Sequence, residues 1–115
     1  MDLNIKIKDK IKSHAKRVFP EECCGFLIEG EQGEVKAIEC KNIAEDKQSL
    51  FRISIEEYLQ ALVEGDIYAV YHSHTKGKNS FSEADKTISE SLELTSVLYN
   101  SSSDIFEVME PEIDE

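Results

Sequence analysis

The chain has 115 residues, of which 40% are hydrophobic, and it carries a net charge of −11. Such a length supports one compact domain, and a strongly acidic chain is a poor match for the phosphate backbone of nucleic acids. The charge is uneven, since residues 1–20 have a net charge of +4 and residues 21–115 one of −15. We therefore expect a single domain over residues 1–115, with residues 110–115 as an acidic tail and no nucleic-acid partner.

The chain has no apolar run near the ~20 residues that cross a bilayer, and its amino terminus lacks the apolar region of a signal peptide. We expect a cytoplasmic protein in a reducing compartment, with no membrane partner. Its three cysteines, Cys23, Cys24 and Cys40, have no C-x-x-C spacing. This number and spacing favour small structural thiols over disulfides or a cysteine zinc site.

Residues 3–7 alternate apolar and polar side chains, which predicts a short strand or an extended lead-in. A helix is predicted next, with Asp9 as its N-cap and Pro20 after its last turn. Its apolar residues follow helical spacing: Ile7, Ile11, Ala15 and Val18.

Two strands are then predicted at residues 24–29 and 35–40, joined as a hairpin by the glycine-containing turn at 30–33. Residues 42–49 are polar and predict a loop. The apolar residues at 50–53 predict a further short strand.

The clearest helix begins at Ser54, which forms a capping box with Glu57, and ends at Gly65. Residues 66–72 form a nearly continuous apolar run, which is typical of a central strand covered on both faces. The helix between them has a complete apolar stripe: Ile55, Tyr58, Leu59, Leu62 and Val63.

A helix at about 82–92 and strands at 96–99 and 105–109 complete the prediction, with a turn at 100–104. Strands and helices mix in an order that is not simple βαβα. The fold class that this order predicts is α/β, a mixed β-sheet sandwiched by helices.

His72 and His74 lie two residues apart at the carboxyl end of the most apolar strand, so both imidazoles point the same way. A His-x-His pair on a strand is also found with no metal role. A carboxylate at Asp85, in the first turn of the next helix, makes a third ligand. Three protein ligands leave a fourth position open, as in hydrolytic zinc sites.

Ser82 and Asp85 have an alternative explanation, because Ser-x-x-Asp at the start of a helix is a capping arrangement. Glu22 has one as well, since two adjacent acids before a strand are usually solvated. A zinc hydrolase nevertheless needs a general base that is not a metal ligand, and Glu22 is a candidate for it.

These residues together resemble the JAMM (MPN+) metallopeptidase family, whose fold is similar to that of cytidine deaminases. The family's pattern is a Pro-x-Glu-x-Cys-Gly segment, then a distant His-Ser-His, seven residues, Ser, two residues and Asp. The resemblance implies Zn²⁺ on His72, His74 and Asp85, Glu22 as general acid/base, and Ser82 stabilising the oxyanion or the water. The matching residues are Pro20, Glu22, Cys24, Gly25, His72, Ser73, His74, Ser82 and Asp85.

The chain departs from many family members at Thr75 and Phe81, where they have proline. Its compact form is similar to bacterial and phage members, among them the tail-tip assembly proteins of lambda-like phages, rather than to deubiquitinating ones. The resemblance implies a zinc metallopeptidase or isopeptidase that acts on a peptide or protein substrate, in phage tail assembly or on cell-wall peptides. Phage tail proteins are then expected partners, in the host cytoplasm or the virion tail.

Two other functions compete with this one. The first is a catalytically silent assembly or binding module on the same scaffold, for which an intact ligand set is not needed. The second is a zinc nucleotide deaminase, which is disfavoured because the chain has neither the H-x-E nor the P-C-x-x-C segment of that family.

Overall fold

A five-stranded mixed sheet with helices on both faces forms the protein, whose computed structural model describes residues 3–75 and 83–111. The strand order is β2-β1-β3-β4-β5; β3 and β4 are parallel and the other neighbours are antiparallel. The predicted α/β class is confirmed. No helix in these two ranges is long and apolar enough to span a bilayer. The elements are α1 (Ile5–Val18), β1 (Cys24–Glu29), β2 (Val35–Cys40), α2 (Ile55–Glu64), β3 (Asp66–His74), α3 (Glu83–Leu92), β4 (Thr95–Asn100) and β5 (Ile105–Met109).

Helix α1 begins earlier than the sequence predicts. Asn4 is its N-cap, and its side-chain oxygen accepts a hydrogen bond of 2.9 Å from the N–H of Ile7. This bond satisfies one of the free N–H groups of the first turn. The predicted strand at residues 3–7 and the predicted cap at Asp9 are therefore both wrong.

The predicted strand at residues 50–53 is also wrong, because this segment is a loop. The carbonyl of Leu50 accepts from the side-chain amide of Asn42 at 2.9 Å, and the N–H of Arg52 donates to the same side chain at 3.1 Å. One buried side chain thus takes the place of a strand partner for these backbone groups.

Helix α1 covers one face of the sheet and completes the main core. Tyr71 is fully buried there, and its hydroxyl lies 2.7 Å from Nδ1 of the buried His14. Gly25 lies opposite Tyr71, and a Cβ at this position would collide with the tyrosine ring. The core residues of this face are Ile7, Ile11, Ala15, Cys23, Leu27, Ala69, Tyr71, Val97 and Tyr99.

The other face carries α2 and a second, smaller core around Phe26 and Val70. Ala61 is the buried residue of α2, and Tyr58 packs partly against the sheet. The remainder of the predicted apolar stripe is exposed, with Ile55, Leu59, Leu62 and Val63 at 68%, 53%, 46% and 79% exposure. The helix is where the sequence predicts it, but most of its apolar face is not buried.

The three cysteines are buried and form no disulfide. Burial raises the pKa of the Cys23 thiol to about 11 and that of Cys40 to about 12, and it also raises the pKa of Cys24. A thiol with so high a pKa is a weak nucleophile and a poor metal ligand at neutral pH. This supports the structural role that the sequence predicts for them.

Candidate metal centre

Strand β3 ends at His74, and its last residues bring two imidazoles to one point. His72 and His74 lie on the same face of the strand, and their Nε2 atoms are 3.2 Å apart. The parallel partner β4 ends beside them at Asn100, which pairs with His74. The pair thus lies at the carboxyl ends of two parallel strands, where open α/β sheets hold their ligands.

Asp85 reaches the same point from the first turn of α3. One carboxylate oxygen, Oδ1, lies 3.2 Å from Nε2 of His72, and Oδ2 lies 3.3 Å from Nε2 of His74. Helix α3 connects β3 to the parallel β4, so its first turn lies next to the end of β3. The three residues predicted as metal ligands therefore meet in space.

The geometry of these atoms fits a tetrahedral metal ion. Ligand atoms bound to zinc at its usual bond lengths lie about 3.3 Å from one another. The two Nε2 atoms have this separation, and each of them has it from a different carboxylate oxygen of Asp85. Complete burial lowers the pKa of His72, mainly through desolvation, so its imidazole is neutral and able to donate an electron pair. Two imidazoles and one carboxylate are also a donor set that zinc prefers.

Glu22 lies beside the two histidines because of the register between β1 and β3. Cys24 pairs with His72 across this antiparallel ladder, so Glu22, two residues before, comes opposite His74. Ligand atoms of Glu22 and both histidines lie within 4.8 Å of one another. Glu22 is only 4% exposed, and burial raises its pKa to about 7, with Asp85 adding to the shift and His74 opposing it. Glu21 is less buried than Glu22.

Asn42 is a residue that the sequence predictions missed, and it holds the backbone around Glu22. Its amide nitrogen donates to the carbonyls of Glu22 at 3.0 Å and of Leu50 at 2.9 Å. Its oxygen accepts from the N–H groups of Ala44 and Arg52. A polar residue inside a polar loop carries no periodic signal, so only the three-dimensional structure identifies it.

Phe51 is the second residue that the predictions missed. Its ring stacks on the imidazole of His72, with centroids 4.5 Å apart and planes 20° from parallel. The stacking restricts rotation of the imidazole, as supporting contacts do at metal sites. From the sequence alone, this aromatic residue contributes only to the prediction of a strand at 50–53 and gives no sign of a contact with His72.

Ser73, between the two histidines, connects β3 to the segment that carries Glu22. Its hydroxyl oxygen accepts a hydrogen bond of 2.8 Å from the N–H of Cys23, and its own N–H donates to the carbonyl of Cys23 at 3.1 Å. Two bonds to the residue that follows Glu22 fix the distance between the histidine pair and the glutamate.

Ser82, predicted to stabilise the oxyanion, lies outside the described residues. Its role stays a prediction that rests on the sequence spacing, and so does the competing role as a helix cap.

Two solved structures have a similar fold. Protein DSY2949 from Desulfitobacterium hafniense matches with a TM-score of 0.70 at 19% identity, over 97% of this chain and 91% of that one. A protein from Salinibacter ruber matches with a TM-score of 0.59 at 17% identity, over 98% and 90% of the two chains. Identities this low show a shared fold and nothing further.

The sequence itself is similar to the tail tip assembly protein K of Escherichia phage N15. The two are 33% identical over 81 residues, which are 70% of this chain and 33% of the phage protein. The aligned part is thus only about a third of the phage protein. Residues 5–110 match the model of the prokaryotic homologs of the JAB domain, so the chain belongs to this Prok-JAB family, as its resemblance to JAMM (MPN+) proteins predicts.

Proposed function

We propose that the protein is a zinc-dependent hydrolase of peptide or isopeptide bonds, with His72, His74 and Asp85 as the zinc ligands and Glu22 as the general acid/base. The meeting of two imidazoles and the Asp85 carboxylate, whose atoms approach one another to 3.2–3.3 Å beside a buried glutamate, carries this proposal. Membership of the JAB family supports it.

Zinc at this centre would supply Lewis acidity, which polarises a carbonyl group and makes water more acidic. Glu22 accepts the proton of the attacking water at a carboxylate oxygen as the C–O bond forms. It then gives this proton to the leaving amine as the C–N bond breaks.

Ser82 is proposed to donate its hydroxyl hydrogen to the oxyanion that develops during the attack. Support for this role comes from the spacing His-Ser-His, seven residues, Ser, two residues, Asp. Removal of one such donor typically lowers the rate about 100–1,000-fold.

The proposed substrate is a peptide or protein in a phage tail or cell-wall setting, reached in the host cytoplasm or in the virion tail. The similarity to a tail tip assembly protein supports the phage setting. Phage tail proteins are accordingly the proposed partners.

The metal assignment is tested by elemental analysis of protein purified without chelators. We expect about one zinc per chain, because three protein ligands with good geometry bind this ion tightly. His74→Ala should lose the zinc. Lys86→Ala, an exposed position on α3 one residue after Asp85, serves as the control and should keep it. Full zinc content in His74→Ala would refute the ligand set.

Catalysis is tested with the zinc-loaded protein on di-ubiquitin, cross-linked muropeptides and a proteome-derived peptide library, with products identified by mass spectrometry. Glu22→Gln should reduce cleavage about 100–10,000-fold and keep the zinc, because it removes the proton carrier alone. Glu21→Gln is the matched control and should cleave normally. Cleavage that Glu22→Gln leaves unchanged would contradict the proposal.

A catalytically silent assembly module is the second candidate. The name of the phage relative, a tail tip assembly protein, favours it. In that case the protein would cleave none of these substrates. Glu22→Gln would leave tail assembly intact. His74→Ala would impair assembly, because it disturbs the folded centre.

A further inference from the structure

The face of the sheet that holds the metal centre is incompletely covered. Large apolar side chains on and before α2 are exposed there, among them Ile43, Leu50 and Ile55. Monomeric proteins seldom leave neighbouring apolar side chains in water without a binding role. The space between α2 and the sheet is therefore a candidate binding site.

A groove of 630 Å³ occupies that space. Its volume lies within the range of small-ligand sites in proteins. Among the described residues that line it, the charged ones are Arg52 and Glu56, which have opposite charge. Its apolar lining comes from the sheet, the 43–53 loop, α2 and the end of α3: Phe26, Ile43, Phe51, Ile53, Tyr58 and Leu92.

Two residues of the groove lie next to the candidate metal centre. Phe51 lines the groove, and its ring stacks on His72. Val70, which also lines the groove, precedes His72 by two positions on β3 and therefore lies on the same face of the strand. A peptide whose scissile bond lies at the histidines would have a neighbouring side chain at the groove.

We infer that the groove is a specificity pocket that takes large apolar side chains, such as Phe or Leu, of an extended peptide substrate. The inference rests on the proposed hydrolase function for the position of the scissile bond. The mixed charge of Arg52 and Glu56 gives no preference for an acidic or a basic side chain, so the apolar lining determines the selectivity.

A second copy of the chain is a poorer occupant of this face. Two copies of α2 packed against each other about a two-fold axis would bring the acidic residues of both helices together: Glu56, Glu57 and Glu64. Like charges in such an interface are unfavourable, and the chain as a whole carries −11.

The test uses the zinc-loaded Glu22→Gln protein and three probes: acetyl-Gly-Phe-Gly-amide, acetyl-Gly-Lys-Gly-amide and acetyl-Gly-Asp-Gly-amide. Binding is followed by NMR on isotope-labelled protein. The Phe probe should shift the methyl signals of Ile43, Ile53 and Ile55 saturably, and the Lys and Asp probes should bind at least about tenfold more weakly. Absence of hydrolysis in this variant separates binding from catalysis.

Two matched variants locate the site. Ile55 also lines the groove, so Ile55→Glu places a charge there and should weaken Phe-probe binding about fivefold or more. Val63→Glu adds the same charge on the same helix, outside the groove lining, and should change binding less than about twofold. Ile55 and Val63 are both exposed, so both variants should fold and keep zinc.

Equal effects of the two variants, equal binding of the three probes, or shifts away from the groove would overturn the inference. Groove signals that move with protein concentration alone would also overturn it, in favour of a second copy. Selective binding without cleavage of any substrate by the wild type would refute the proposed hydrolysis but not the pocket.

Discussion

Helices α1 and α2 have similar amphipathic sequences but very different surroundings. In α1 the apolar side is buried against the sheet at Ile7, Ile11 and Ala15. In α2 the buried residue is Ala61, and most of the large apolar side chains face solvent. An apolar stripe of helical period shows that a helix has an apolar face, but it does not show how much of that face the same chain covers.

The difference between the two helices is also a difference between the two faces of the sheet. Along β3, side chains alternate, so Tyr71 joins the core under α1 while Val70, His72 and His74 lie on the α2 side. The face under α1 therefore supports the fold, and the partly open face under α2 holds the candidate metal centre.

The largest effect on stability is expected on the α1 face. Ile11 is fully buried in its core, so Ile11→Ala should lower the free energy of unfolding by about 2–5 kcal/mol, through lost burial and the cavity left behind. Urea unfolding followed by circular dichroism measures this. The proposed zinc content should not change in the folded fraction, since His72 and His74 lie on the opposite face. A loss below about 1 kcal/mol would mean that α1 is not the structural cover.

A pH-dependent effect of about 3 kcal/mol is expected from Glu22 in the metal-free protein. Burial raises its pKa from 4.5 to about 7, so folding favours the protonated form. Its contribution to stability is complete below the unfolded pKa and is lost as pH rises through about 7. Gln is neutral at every pH, so Glu22→Gln does not lose this stability as pH rises.

The measurement is urea unfolding of wild type and Glu22→Gln with EDTA at pH 4.5 and 8. The stability of Glu22→Gln relative to wild type should be greater at pH 8 by about 3 kcal/mol, since a shift of one pKa unit corresponds to about 1.4 kcal/mol. Glu21→Gln should show no such trend. A difference between wild type and Glu22→Gln that does not change with pH would mean that the α2 face does not raise the pKa of this carboxyl.

Much of the secondary structure follows from local sequence signals. Strands β1, β2 and β5 have the predicted bounds, and α2 begins after the predicted cap at Ser54, whose hydroxyl accepts from the N–H of Glu57. Strand β3 is two residues longer than predicted and includes both histidines. Hydrophobic period and capping chemistry are local properties, and therefore they can be recognised without the tertiary structure.

The wrong predictions have a different cause. At residues 50–53 a buried side chain, Asn42, provides the hydrogen bonds, and this pairing spans eight to ten residues of loop. The three candidate ligands could be proposed from the sequence because they belong to one strand end and one helix start, and their metal role stays a prediction. The stacking of Phe51 on His72 joins segments 21 residues apart and has no local signal. How much of the apolar stripe of α2 is exposed likewise depends on which elements pack on that face of the sheet, and this has no local signal.

The smallest effect on stability is expected at Leu59. This position tests most directly whether α2 is less covered than α1. Leu59 lies on α2 at 53% exposure and is not among the groove residues. Because little apolar area is lost and Ala favours helix, Leu59→Ala should change the free energy of unfolding by less than about 0.5 kcal/mol. Ala61, two positions on, is fully buried, so Ala61→Leu should cost about 1–3 kcal/mol by overpacking. Urea unfolding measures the free energy of unfolding of both variants. If Leu59→Ala lowered it as much as Ile11→Ala does, α2 would be covered as closely as α1.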